Sequence, residues 1–276
     1  MRIEFSKMHG NGNDFVVFDE YERVLIREEE KPEFVKKVCN RKFGVGGDGA
    51  IFVQKSEIAD VKFRYFNSDG SEAEMCGNGI RCFARFAFEK GYVNRNFVAE
   101  TLAGLKKLEI LENPFRVKVD MGYVEFDPEK IPAVKSKEER GVWFAEIGKF
   151  KVYAVNTGVP HAVIFVDDLE RLDISEAKKI RYSKFFPTGT NVNFVSFDGE
   201  LKIRTYERGV EDETLSCGTG SVAASAIAYK LGMCGSKVKV ITRGGELEIE
   251  LVENDRLRAY MTGNAVRVFD GTLREL

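Results

Sequence analysis

The chain has 276 residues, 43% hydrophobic and 31% charged, with a formal net charge of −2. That is the balance of a folded globular protein long enough for two ordinary domains, and it offers no basic excess to hold nucleic acid or an anionic membrane. Five cysteines without a C-x-x-C pair, and two histidines in separate segments, argue against both a secreted disulfide scaffold and a zinc site.

The start, MRIEFSKMHG, has no apolar leader core, and no apolar run reaches membrane-spanning length, so a cytoplasmic protein is expected. GNDFVVF (12–18) reads as a turn entering an apolar strand, and PEFVKKVCNRKFGVG from Pro32 as a helix with proline in its first turn. VKFRYFN (61–67), LKKLEILE (105–112) and FRVKVDMG (115–122) alternate like strands. Between them, Cys76-Gly77-Asn78-Gly79 opens an apolar helix through Ile80, Phe83 and Phe86 that stops at Gly91. The series then recurs. VPHAVIF (159–165) matches the first strand, SEAKKIRYSKFFPTG near 175 matches the first helix, and LKIRTYER (201–208) precedes Cys217-Gly218-Thr219-Gly220 and a second apolar helix. KVKVITRGGELEIELVE (237–253) and RLRAYMTG (256–263) close it as strands. An offset of 141 carries Cys76 to Cys217, Tyr65 to Tyr206, Glu72 to Glu213 and Gly91 to Gly232. The chain is therefore expected to be a duplicated α+β protein: two pseudo-symmetric domains, each a mixed sheet with an apolar helix at its centre.

A helix start has unpaired N–H groups and partial positive charge. A thiol there has its thiolate stabilised, from a free pKa of about 8.5 toward neutrality. Glycines beside it let an anion approach the backbone. One such motif reads most simply as a small buried cap. Two, at equivalent places in a duplicated chain, point to a pair of thiols facing one cleft. Two facing thiols suit either thiol–disulfide chemistry or proton transfer at a carbon centre from opposite faces, with one base and one conjugate acid. Cys39, Cys82 and Cys234 read as structural, and His9 as a turn residue.

The motifs KMHGNGNDFVV (7–17), FNSDGSEAEMCGNGIRC (66–82), NTGVPH (156–161), GTNVNF (189–194) and ERGVEDETLSCGTG (207–220) resemble those of the diaminopimelate epimerases, over nearly the whole chain. That resemblance implies a fold of two similar domains, here residues 1–118 with 266–276, carrying Cys76, and 119–265, carrying Cys217. It implies epimerisation of LL-2,6-diaminopimelate to the meso form for lysine and peptidoglycan precursors, with no cofactor such as pyridoxal phosphate and no metal. Cys76 and Cys217 would be the acid/base pair. Asn13, Asn67, Gly77, Asn78, Asn191, Glu207, Arg208, Gly218 and Thr219 would bind the substrate, and His161 and Glu207 would tune the thiols. The partner implied is a small amino acid, with no nucleic acid or membrane, and a homodimer is common in the family. Two positions depart from the pattern: Val159 stands where relatives often have asparagine, and Gly49 where many have glutamine. Asn193 is a candidate to compensate at the substrate's distal end. The departures keep open a second substrate class on the same fold, such as lysine, proline or hydroxyproline.

Overall fold

The computed structural model describes residues 2–274. Met1 and residues 275–276, assigned above to the N-terminal domain, lie outside the described residues. The chain forms two compact units, 2–120 with 263–274 and 121–262. The first contains β1 (Ile3–Gly10), β2 (Asn13–Glu20), α1 (Lys31–Cys39), β3 (Gly49–Gln54), β4 (Val61–Asn67), β5 (Glu72–Ala73), α2 (Gly77–Glu89), β6 (Asn96–Thr101), β7 (Gly104–Leu111) and most of β8 (Arg116–Tyr123). The second contains β9 (Lys137–Glu139), β10 (Val142–Ile147), β11 (Phe150–Asn156), β12 (Pro160–Phe165), α3 (Ala177–Arg181), β13 (Asn191–Phe197), β14 (Leu201–Glu207), β15 (Asp212–Thr214), α4 (Gly218–Lys230), β16 (Lys237–Thr242), β17 (Gly245–Glu253) and most of β18 (Leu257–Asn264). β19 (Val266–Leu273) returns to the first unit and pairs antiparallel with β1.

The pairing repeats. In the first unit β2 runs parallel to β3, β3 antiparallel to β4, and β4 meets both the short β5 and, in parallel, β6, which turns back as β7. In the second unit β12, β13, β14, β15, β16 and β17 reproduce that order with the same directions. Each sheet is thus mixed, and its parallel steps require the crossovers that carry the helices.

Strand β3 shows how the layers form. Residues Gly49–Val53 are buried on both faces, and the segment reads as a continuous apolar run rather than an alternating one. Ile51 faces the first turn of α2. Phe52 faces the opposite way, into a cluster with Phe18, Val35, Val38 and Phe66 under α1. α2 packs against β1, β2, β3, β4 and β7, and α4 against β11, β12, β13, β14, β16 and β17. Such a helix has no wet face to keep polar, so α4 is lined with small residues: Gly220 to Ala228 are all buried. α3 covers the other face of its sheet through Ala177 and Ile180, packed with Phe185, Phe186, Phe194 and Tyr206.

Candidate active site

Cys76 is the N-cap of α2, in extended backbone conformation (φ −134°, ψ 119°). Its Sγ accepts from the Gly79 N–H at 3.4 Å and lies 3.7 Å from Asn13 Oδ1, to which the thiol donates. Asn13 is oriented by what surrounds it. Its Nδ2 donates to Asp48 at 2.7 Å, and its Oδ1 accepts from Asn78 Nδ2 at 3.3 Å. Asp48 also accepts from Arg41 at 2.7 Å, and Arg41 grips both oxygens of Asp14. Burial alone would raise the Asp14 carboxyl, but hydrogen bonds from Arg41 and Lys7 outweigh it and hold the group well below the usual carboxylate range. This charged cluster fixes the loop before β3 against β1 and β2.

A second support lies under α2. The fully buried Arg81 reaches Gly77 O (3.0 Å), Asn78 Oδ1 (3.0 Å), Asn11 Oδ1 (3.2 Å) and Asn264 O (2.9 Å). Burial pulls its guanidinium down to about 10, so it remains a cation at neutral pH. Asn67 sits at the β4–β5 turn, its Nδ2 donating to Ser71 at 3.0 Å.

Cys217 is the N-cap of α4, again extended (φ −118°, ψ 112°) and buried, with its Sγ 3.4 Å from Thr219 Oγ1. Gly218 is buried at the first helical position, and the Thr219 carbonyl accepts from Thr157 Oγ1 at 3.0 Å. Asn191, buried at the start of β13, accepts the Arg208 N–H at 2.8 Å and donates to Pro160 O at 3.4 Å. It thereby ties the end of β14, with Glu207 and Arg208, to the start of β12. His161 pairs with Asn191 across β12 and β13 and is completely buried. Burial, and secondarily the Arg208 charge, push its imidazole down to about 3. It is neutral at physiological pH.

Burial pushes Cys39 and Cys82 up to about 12 and raises Cys234, which marks them as unreactive. None of the five cysteines forms a disulfide. Among the described residues no group of three His, Cys, Asp or Glu is placed to hold a metal ion.

Three departures from the sequence reading emerge. The second glycine of each C-G-x-G faces the core. A Cβ on Gly79 would meet Ile51 and Phe15 at 3.5 Å, and one on Gly220 would overlap Asn193 Oδ1. Asn193, expected to compensate for Val159, is fully buried and spends its amide on His161, Ala162 and Thr205. Asp48, Arg81 and Asn193 were not anticipated as supports. The D-G turn after Asp48 and an arginine inside an apolar helix were the available signals.

The model of the family described as diaminopimelate epimerase matches residues 5–126 and 153–268. A diaminopimelate epimerase of Archaeoglobus fulgidus is 60% identical, over 99% of this chain and 97% of that one. One from Methanothrix thermoacetophila is 49% identical over the same shares. Among solved structures, a phenazine biosynthesis protein of the PhzF family from Bacillus anthracis superposes with a TM-score of 0.77 at 17% identity, covering all of both chains, a likeness of fold alone. With the match spanning both halves and both cysteine-capped helices, the chain belongs to the diaminopimelate epimerase family.

Proposed function

We propose that the protein epimerises LL-2,6-diaminopimelate to the meso form without pyridoxal phosphate, with Cys76 and Cys217 as alternating base and acid. The observation that carries this reading is the repeated one: each unit caps an otherwise buried helix with a cysteine that is in no disulfide. Family membership supports the substrate. In the forward step one thiolate removes the α-proton, and the opposite thiol returns a proton to the other face of the resulting planar carbanion. The roles swap for the reverse direction. The N–H groups of Gly77, Asn78, Gly218 and Thr219 bind the reacting carboxylate and steady the charge that spreads into it. Arg208, held by Asn191, grips the distal carboxylate with two N–H groups, and Glu207 meets an ammonium. Asn13 and Asn67 complete the binding set. His161 and Glu207 tune the thiols.

The second reading is racemisation of another amino acid, such as lysine, proline or hydroxyproline. Val159 brings no amide to the site, and a Cβ on Gly49 would overlap Phe66 O and the Tyr65 ring, so this chain has no room there for a longer side chain without a shift. α-Deuteration in D2O, run across these amino acids with reductant present, separates the readings. Diaminopimelate is expected to exchange fastest, with Cys76→Ala and Cys217→Ala each abolishing epimerisation. Preference for a monocarboxylate replaces the first reading with the second, and absence of any carbon-bound exchange removes both. A reducing cytoplasm suits paired catalytic thiols. Exposed Val268 and Phe269 on β19 offer apolar area for a homodimer.

A further inference from the structure

We propose that Asn193 is a positioning residue that holds His161 as the neutral Nε2–H tautomer, and that this N–H is reserved for the Cys217 thiolate. Asn193 Oδ1 accepts from Thr205 Oγ1 at 3.0 Å, and its Nδ2 donates to the Ala162 carbonyl at 3.0 Å. A carbonyl oxygen only accepts, so the amide cannot be flipped. The same Nδ2 lies 2.9 Å from His161 Nδ1, which must then be the accepting nitrogen. The ring proton is left on Nε2. An imidazolium is excluded as well, because its Nδ1–H would confront the amide N–H.

His161 Nε2 is buried and makes no hydrogen bond to any described residue. A buried donor left in that state costs about 1–3 kcal/mol, a penalty the fold carries when another group completes the bond in use. Asn193 links the ring to the first turn of α4. Asn193 Oδ1 fills the space a Cβ on Gly220 would occupy, and that position is 3.4 Å from the Cys217 Cβ. Among the described residues the Arg208 cation acts on the ring, and it favours an anion over a neutral acceptor in the same neighbourhood. A thiolate meets a neutral donor here, one that stabilises it without competing as a proton source.

The role rests on the epimerase reading, whereas the tautomer does not. The sequence has two histidines, so 15N-histidine labelling gives two rings, assigned with a His9→Gln variant. Long-range proton–nitrogen correlation between pH 5.5 and 8 is expected to show His161 with a protonated Nε2 and a bare Nδ1 throughout. An Nδ1–H tautomer or an imidazolium at neutral pH overturns the proposal. Asn193→Asp replaces the donor by an acceptor and should move the proton to Nδ1, with α-hydrogen exchange slowed on the order of 10- to 100-fold, as for other residues that orient a functional imidazole. His161→Gln, which keeps an amide donor near Nε2, should retain more exchange than His161→Asn. Equal loss in both, or an unchanged rate in folded Asn193→Asp, overturns the positioning role. Native protein with no α-exchange on any amino acid refutes the epimerase reading, and the spectrum still decides the tautomer.

Discussion

Asn13 touches the Cys76 thiol, yet what orients it is a carboxylate it holds from the other side. Asp48 takes one Asn13 N–H at 2.7 Å and the Asp14 backbone N–H at 3.1 Å. Asp48→Ala leaves both donors without that acceptor and lets the Asn13 amide rotate, so that either its oxygen or its nitrogen can face Cys76. A loss of roughly 10- to 100-fold in kcat/KM for α-hydrogen exchange is expected, equivalent to about 1–3 kcal/mol of positioning. Asp48→Asn keeps an acceptor oxygen and should stay within about threefold of native, since a neutral hydrogen bond replaces a charge-assisted one. Steady-state kinetics of both variants, with circular dichroism to confirm folding, checks this. Equal damage in the two would assign the effect to the lost charge beside Arg41 rather than to Asn13.

At the scale of elements, the two capped helices look alike in sequence but are packed differently at their second glycine. Gly79→Ala adds a methyl at ordinary contact distance from Ile51, Phe15 and the Cys76 Cβ, and it removes a helix-weakening glycine. Its stability should be unchanged or higher by up to about 1 kcal/mol. Gly220→Ala drives the same methyl into Asn193 Oδ1, whose amide is pinned on three sides, and should cost about 1–3 kcal/mol despite the same gain in propensity. Urea denaturation of the pair measures the difference, and equal midpoints would show that Asn193 can give way. This contrast also marks what was readable beforehand. The constant offset of 141 exposed the duplication because both copies keep a cysteine cap and a glycine stop around a buried helix. The strand at 61–67 was legible because one face is wet and its residues alternate. The strands β9, β10 and β11 were not foreseen, since short hairpins rich in charge and broken by Gly148 lack a sustained period. Arg81, Asp48 and Asn193 were illegible for a different reason. Each is a polar residue whose partners come from distant segments, and no local spacing encodes that.

The whole molecule carries this buried chemistry as a dependence of stability on pH. The His161 imidazole has an ordinary value of 6.5 and is pushed down to about 3 by burial and then by Arg208. The unfolded chain therefore binds a proton that the folded chain refuses throughout that window. Stability is full above about pH 6.5 and is lost as pH falls, by up to roughly 1.4 kcal/mol per unit while the difference lasts. A loss of several kcal/mol is a large share of the roughly 5–15 kcal/mol that holds a typical domain. The depressed Asp14 in the other unit adds a loss of the same sign, but only below its ordinary 3.8. Between pH 6.5 and 4 the acid sensitivity of the second unit should thus be carried chiefly by His161. Urea midpoints followed across that range should fall more steeply for the native chain than for His161→Gln, whose amide takes no proton. Parallel curves would mean that His161 accepts its proton in the folded state, and would undo the neutral imidazole proposed above to serve the Cys217 thiolate.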